Sequence, residues 1–330
     1  MRNLDRFRGC LVGGAAGDAL GYEVEFMTER LIFSHWGPQG ITEYALHNGV
    51  AQFSDDTQMT LFTAAGLLET GEISGIRAAY LDWYKTQRDI FRPEGKHLMG
   101  VRGLFERRAP GNTCLDALHR GAHGTPETPI NRSKGCGGVM RMAPIGLFFN
   151  DRATDVREVA RLGAEAAALT HGHPLGWLPG AVMAQVVHEV SQDGTAVAPA
   201  VRHALRTAAE LWPDAEPLPY LTKLLEHAIT LAAEADDELE AIHKLGAGWV
   251  GEEALAIAVF SVLRCPGDFN RAIILAVNHE GDSDSTGAIA GNIIGAQIGL
   301  SNIPEKYKTN LELYPLLLDT ADALWRGSWE

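Results

Sequence analysis

Gly9, Gly13, Gly17 and Gly21 recur at every fourth position near one end of the chain, and Gly287, Gly291, Gly295 and Gly299 do the same near the other. At 3.6 residues per turn, each set forms a stripe without side chains along one helix face. A glycine inside a helix costs about 1 kcal/mol relative to alanine, so eight of them require compensation. Close approach of two helix backbones supplies it. The same spacing drives packing in membranes, but Asn292, Gln297 and the short length of the segment favour a buried core. We therefore expect two tightly packed helices near the centre, packed on each other in the simplest arrangement, which would bring the segments attached to them together in space.

Most of the remaining sequence follows the helical period. The expected helices cover about 57–69, 76–88, 155–170, 175–190, 197–210, 218–235, 251–264 and 285–299, together with the glycine-bearing start. Alternating strand-like runs are scarce, and no βαβ rhythm is present. Loops are marked by "HWGPQG", "FRPEGK", "RAPGNT", "GTPETPINRSKG" and "WPDAEPLP". None is a long low-complexity linker, so the expectation is one all-α domain over residues 1–330. The net charge of −14 argues against nucleic acid or an anionic membrane as partner. Cys10, Cys114, Cys136 and Cys265 contain no C-x-x-C pair and fit a reducing cytoplasm. In "MRNLDRFRGCLVGGAAGDALG", Asp18 interrupts the apolar run and no cleavage site follows, which points to a structural helix over a leader.

Two short stretches concentrate acid and hydroxyl groups, "FSDDTQ" at 53–58 and "GDSDST" at 281–286. Both precede apolar helical runs, and Ser, Thr and Asp are preferred helix caps. A cap uses one oxygen, whereas each cluster places two carboxylates close together despite their repulsion. Asp55, Asp56, Asp282 and Asp284 supply four carboxylates, with Ser54 and Ser285 adding neutral oxygens. An oxygen-only set suits Mg²⁺, Mn²⁺ or Ca²⁺ over zinc, and four carboxylates balance two divalent cations. The spacing of a twelve-residue Ca²⁺ loop is absent.

Taken with "GGAAGDALGYEVEF", "NRSKGCGGVMRMAPIGL", "THGHPLGW" and "GWVGEEALAIA", the two aspartate motifs resemble those of the ADP-ribosylglycohydrolase family, in order from about residue 6 to 300. The resemblance implies an orthogonal helical bundle with two Mg²⁺ or Mn²⁺ ions in a central cleft. On that match Ser54, Asp55, Asp56, Asp282, Asp284 and Ser285 are metal ligands, and Glu25 is a gating or acid–base group on a loop over the metals. The loop at 131–144 would cradle the pyrophosphate through Ser133, Lys134, Gly135, Cys136 and Gly137. Its glycines equally suit a tight turn, and exposed N–H groups there suit phosphate oxygens. His171 would lie near the ribose, and Asn112 in the cleft. Some relatives carry an aspartate where this chain has Ala109, so a mechanism that needs that carboxylate is not available here.

The activity implied is metal-dependent hydrolysis of the bond between C1″ of ADP-ribose and a modified protein side chain, with ADP-ribose as product. The motif set is closer to the arginine-directed branch, so the N-glycosidic bond of ADP-ribosyl-arginine is the first expectation. Serine-linked ADP-ribose, poly(ADP-ribose), O-acetyl-ADP-ribose and a non-catalytic crystallin-like scaffold are the alternatives. A carboxylate beside a metal-bound water is suitably placed to take its proton, which gives that role to Asp55 or Glu25. Cys136 has no histidine at a spacing that would make it a nucleophile.

Overall fold

A computed structural model describes residues 3–93, 95–149 and 155–329. Among the described residues there are fifteen α-helices, short 3₁₀ turns and isolated β-bridges, with no strand ladder. The helices are α1 (Leu4–Gly21), α2 (Glu29–Trp36), α3 (Asp55–Thr70), α4 (Ile73–Thr86), α5 (Asn112–His119), α6 (Ala143–Phe148), α7 (Val156–Ala168) and α8 (Pro174–His188). They continue as α9 (Val197–Leu211), α10 (Leu218–Glu234), α11 (Glu238–Leu245), α12 (Gly251–Arg264), α13 (Phe269–Val277), α14 (Ser283–Ile298) and α15 (Tyr314–Arg326). Side-chain caps open many of them. Asn3, Thr28, Ser54, Asp155, Asp237, Asp268 and Asp282 each accept from a backbone N–H of the following first turn.

The two glycine stripes meet. A Cβ placed on Gly9, Gly13 or Gly17 would run into the backbone carbonyl of Gly295, Gly291 or Gly287 respectively, and one on Gly21 into that of Ser283. The order reverses along the pair, so α1 and α14 are antiparallel with their backbones in direct contact. Asn292 crosses the seam, donating from Nδ2 to Cys10 O at 2.8 Å. Gly299 caps α14 at φ 81°, with its backbone against Gly9 and its own Cβ position facing the Asp5 carboxylate.

This antiparallel seam sets the position of the site. It joins the C-terminal end of α1 to the N-terminal end of α14, so the loop carrying Glu25 and the 281–286 cluster start from one place. Around the seam runs one contiguous apolar core, with Phe7, Leu20, Tyr80, Trp83, Phe260 and Phe269 among its buried members.

Candidate metal and substrate site

Asp18 brings the first aspartate cluster to the seam. It sits in the last turn of α1, fully buried. Its Oδ1 accepts from Ser54 N at 2.8 Å, and its Oδ2 accepts from Thr57 N at 2.9 Å and from the Thr57 hydroxyl at 2.5 Å. A carboxylate at the amino end of α3 is favoured by the helix dipole. Here it ties that end to α1, and Ser54, Asp55 and Asp56 follow. Ser54 Oγ accepts from Asp56 N at 3.2 Å, so the serine is also the cap of α3. A second tie comes from Arg108, which forms a mostly buried pair with Glu312, donates to Phe53 O, and accepts from Asp55 N on its own carbonyl.

The acids then converge. Glu25, Asp282 and Asp284 each place one oxygen within 4.8 Å of the others. Asp55, Asp56, Asp282, Asp284 and Ser285 are all nearly without solvent exposure. Burial, and then the charge of Asp284, push the carboxyl groups of Asp55, Asp56 and Asp282 well above the ordinary carboxylate range. Burial raises Asp284 as well. Glu25 is pushed up to about 11 by burial and by the charges of Asp284 and Asp282, and Asp18 to about 7 by burial and Asp284. Buried carboxylates with no cation among them cannot all ionise. Glu25 Oε2 and Asp56 Oδ2 are buried and have no hydrogen-bond partner. An all-oxygen cluster with orphaned acceptors fits hard divalent cations.

The expected substrate residues line one side of these acids. Gly111 N points to Asp55 Oδ2 at 3.4 Å, which brings the 109–113 loop to the cluster. Ala109 in that loop holds φ 49°, a left-handed conformation uncommon for alanine. Asn112 opens α5 at the same place, although its own side chain is exposed. Thr113 Oγ1 lies 3.1 Å from Ser133 Oγ, which links this loop to the glycine-rich one. Burial, and then the charges of Asp282 and Asp56, push the Cys136 thiol well above its usual range, which disfavours the thiolate a nucleophile needs. Lys134 is already engaged: it pairs with Glu252, which is completely buried, so its charge is less free than the sequence implied. A Cβ on Gly135 or Gly137 would stand 3.3 Å from His171 Nε2, so that ring lies directly against the loop.

A third segment completes the rim. Cys136 N donates to Trp249 O at 3.2 Å, Gly251 N to Lys134 O at 2.8 Å, and Asp282 N to Ala247 O at 2.9 Å. Trp249 stacks on Phe26, the residue after Glu25, with ring centroids 5.9 Å apart and planes at 23°. The pair spans from the Glu25 loop to the loop ahead of α12.

This helical arrangement has counterparts among known proteins. The ADP-ribosylglycohydrolase family profile matches residues 1–330. The chain belongs to the ADP-ribosylglycohydrolase family. It is 27% identical to ADP-ribosylhydrolase ARH3 of Mus musculus over 94% of this chain and 88% of that protein. Similarity is comparable to the ADP-ribosyl-[dinitrogen reductase] glycohydrolase of Rhodospirillum rubrum, at 26% identity over 94% of this chain and 91% of the relative. A solved structure described as an ADP-ribosylglycohydrolase-related protein complex superposes with TM-score 0.68 and 26% identity, covering 98% of both chains. The motifs of this chain are spread widely in its sequence, and the fold gathers them around one acidic cluster. Asp18 and Arg108 were not singled out as site residues from sequence. A lone acid in a glycine–alanine helix was the available signal for Asp18. Arg108 had none, since its partner Glu312 is 204 residues away. No helix among the described residues is long and apolar enough to cross a membrane.

Proposed function

We propose that this chain, acting as a single domain over residues 1–330, is a metal-dependent hydrolase that frees ADP-ribose from modified protein side chains, with ADP-ribosyl-arginine as its first substrate. The observation that carries the reading is the set of buried acids from three separate segments, with orphaned oxygens on Glu25 and Asp56, beside a glycine-rich loop and a buried histidine. Ser54, Asp55, Asp56, Asp282, Asp284 and Ser285 hold two Mg²⁺ or Mn²⁺ ions, with Glu25 at the edge of the set. When bound, such ions offset the carboxylate charge and polarise oxygen atoms of water or sugar.

The residues of the chain divide the remaining work. The 133–137 loop offers N–H groups to pyrophosphate oxygens, and His171 faces the same loop. Asp55 or Glu25 accepts a proton from the attacking water as its oxygen bonds to C1″. The bond from C1″ to the side-chain nitrogen breaks, that nitrogen regains a proton, and ADP-ribose leaves. The choice of arginine rests on the motif resemblance and on the acidic balance of the chain, which favours a cationic target.

The test is release of free ADP-ribose from arginine-linked and serine-linked peptides, poly(ADP-ribose) and O-acetyl-ADP-ribose, with Mg²⁺, with Mn²⁺ and with chelator. Metal-dependent release from the arginine-linked peptide is expected. Asp55→Ala and Asp56→Ala should lose bound metal and turnover together, and near-normal turnover in both would sink the metal model. Release from another linkage alone would move the substrate, and no metal binding at all would leave an inert scaffold.

A further inference from the structure

Arg141 is fully buried and has no carboxylate partner among the described residues. Its Nη1 points to the sulfurs of Met59 at 3.2 Å and Cys114 at 3.4 Å, its guanidinium lies 4.3 Å from the Tyr80 ring centroid, and its Nε has no acceptor. An uncompensated buried cation is costly, so what this one holds matters. Its closest polar contact is a 2.6 Å hydrogen bond from Nη2 to Thr170 Oγ1. Thr170 Oγ1 is in turn 2.8 Å from His171 Nδ1.

Arg141 only donates, so Thr170 Oγ1 accepts from it, and the single hydroxyl proton must go elsewhere. Ala167 O lies 3.4 Å away and already accepts from the backbone N–H groups of Thr170 and His171, at 3.2 and 3.0 Å, and the Cys114 sulfur, a weak acceptor also within reach of the hydroxyl, already accepts from Arg141 Nη1. His171 Nδ1 is nearer and, as an acceptor, free. Donation of the hydroxyl to this nearest acceptor leaves the ring proton on Nε2, whereas the opposite tautomer would send the hydroxyl proton to the longer Ala167 O contact. His171 is 2% exposed, and its Nε2 makes no hydrogen bond among the described residues while facing Gly135 and Gly137. Burial, and then the charge of Arg141, hold the ring neutral by lowering its pKa to about 3.

We propose that Arg141 and Thr170 are positioning residues that lock His171 as the neutral Nε2–H tautomer, a fixed hydrogen-bond donor to a substrate hydroxyl or phosphate oxygen lying against Gly135–Gly137. His171 then binds and orients substrate and exchanges no proton with it. This rests on the proposed function for the identity of the ligand, but the tautomer itself does not.

The test is ¹⁵N NMR of histidine-labelled protein at neutral pH, with His171 assigned from its absence in His171→Gln. We expect an unprotonated Nδ1 and a protonated Nε2 in the native protein and in Thr170→Ser. Thr170→Val should mix the tautomers and weaken binding of ADP-ribose about two- to tenfold, the worth of one hydrogen bond. A native Nδ1–H tautomer, or one unchanged in Thr170→Val, overturns the relay. If the native tautomer is as stated but ADP-ribose binds neither protein, the relay stands and the glycohydrolase reading fails.

Discussion

Asp18 shows how one residue can organise a site it does not enter. Three hydrogen bonds from Ser54 and Thr57 end on its carboxylate, and these residues flank Asp55 and Asp56. Asp18→Asn keeps the volume but turns one acceptor oxygen into a donor facing N–H groups. Supporting groups of this kind typically contribute 10–100-fold to metal affinity. We expect Mn²⁺ affinity, measured by calorimetry, to fall by about that factor, and an unchanged affinity would show that α3 is held well enough without it. At this scale the sequence disclosed the residues whose types are unusual together, Asp beside Asp and Asp-Ser-Asp-Ser. It did not disclose those whose meaning depends on a distant partner. Asp18 needs Ser54, Arg108 needs Glu312, and Lys134 is neutralised by Glu252; each pair lies 36 or more residues apart.

At the scale of elements, the glycine spacing carried the most information because it constrained two helices at once. A Cβ at Gly13 or Gly17 would meet backbone, which cannot rotate away as a side chain can. Gly17→Ala must therefore push α1 and α14 apart, and a loss of at least about 1–3 kcal/mol is expected from overpacking. Gly111→Ala is the control, since a Cβ there meets open space at φ −59° and should change stability by no more than about 0.5 kcal/mol. Thermal melts of the two variants decide this; equal stabilities would mean that the seam is not tight. The long helices from α3 to α14 matched the periodic runs, with ends differing by a few residues. Shorter ones went unseen. α2, α5, α11 and α13 span only eight or nine residues, too short to establish a period, and "FNRAIILAV" of α13 is an apolar run of strand length. α15 was long enough to see but begins at Tyr314 and Pro315 after Leu313, which takes φ 51°, so its start has no ordinary cap.

For the whole molecule, the buried acids set how stability depends on pH. A carboxyl whose folded pKa is raised binds more protons folded than unfolded, so it makes the fold less stable as pH rises from its unfolded to its folded value. Asp18, raised to about 7, and Glu25, raised to about 11, act this way, and Asp55, Asp56, Asp282 and Asp284 act in the same direction. Buried histidines work oppositely. His171, lowered to about 3, and His279, lowered to about 4, both by burial first, weaken the fold as pH falls below about 6.5, where the unfolded chain takes up protons. The two effects oppose each other between about pH 4 and 6.5, and only the acids remain above it. In chelator, the melting temperature should therefore fall between about pH 6.5 and 8. Bound Mg²⁺ or Mn²⁺ replaces protons as the balancing charge, so saturating metal should flatten that slope. It should also raise stability at pH 8, by about 2.7 kcal/mol for one site at a hundred times its Kd. Melting that is independent of pH in chelator, or a slope that metal leaves unchanged, would mean that these acids are not the groups the cations neutralise.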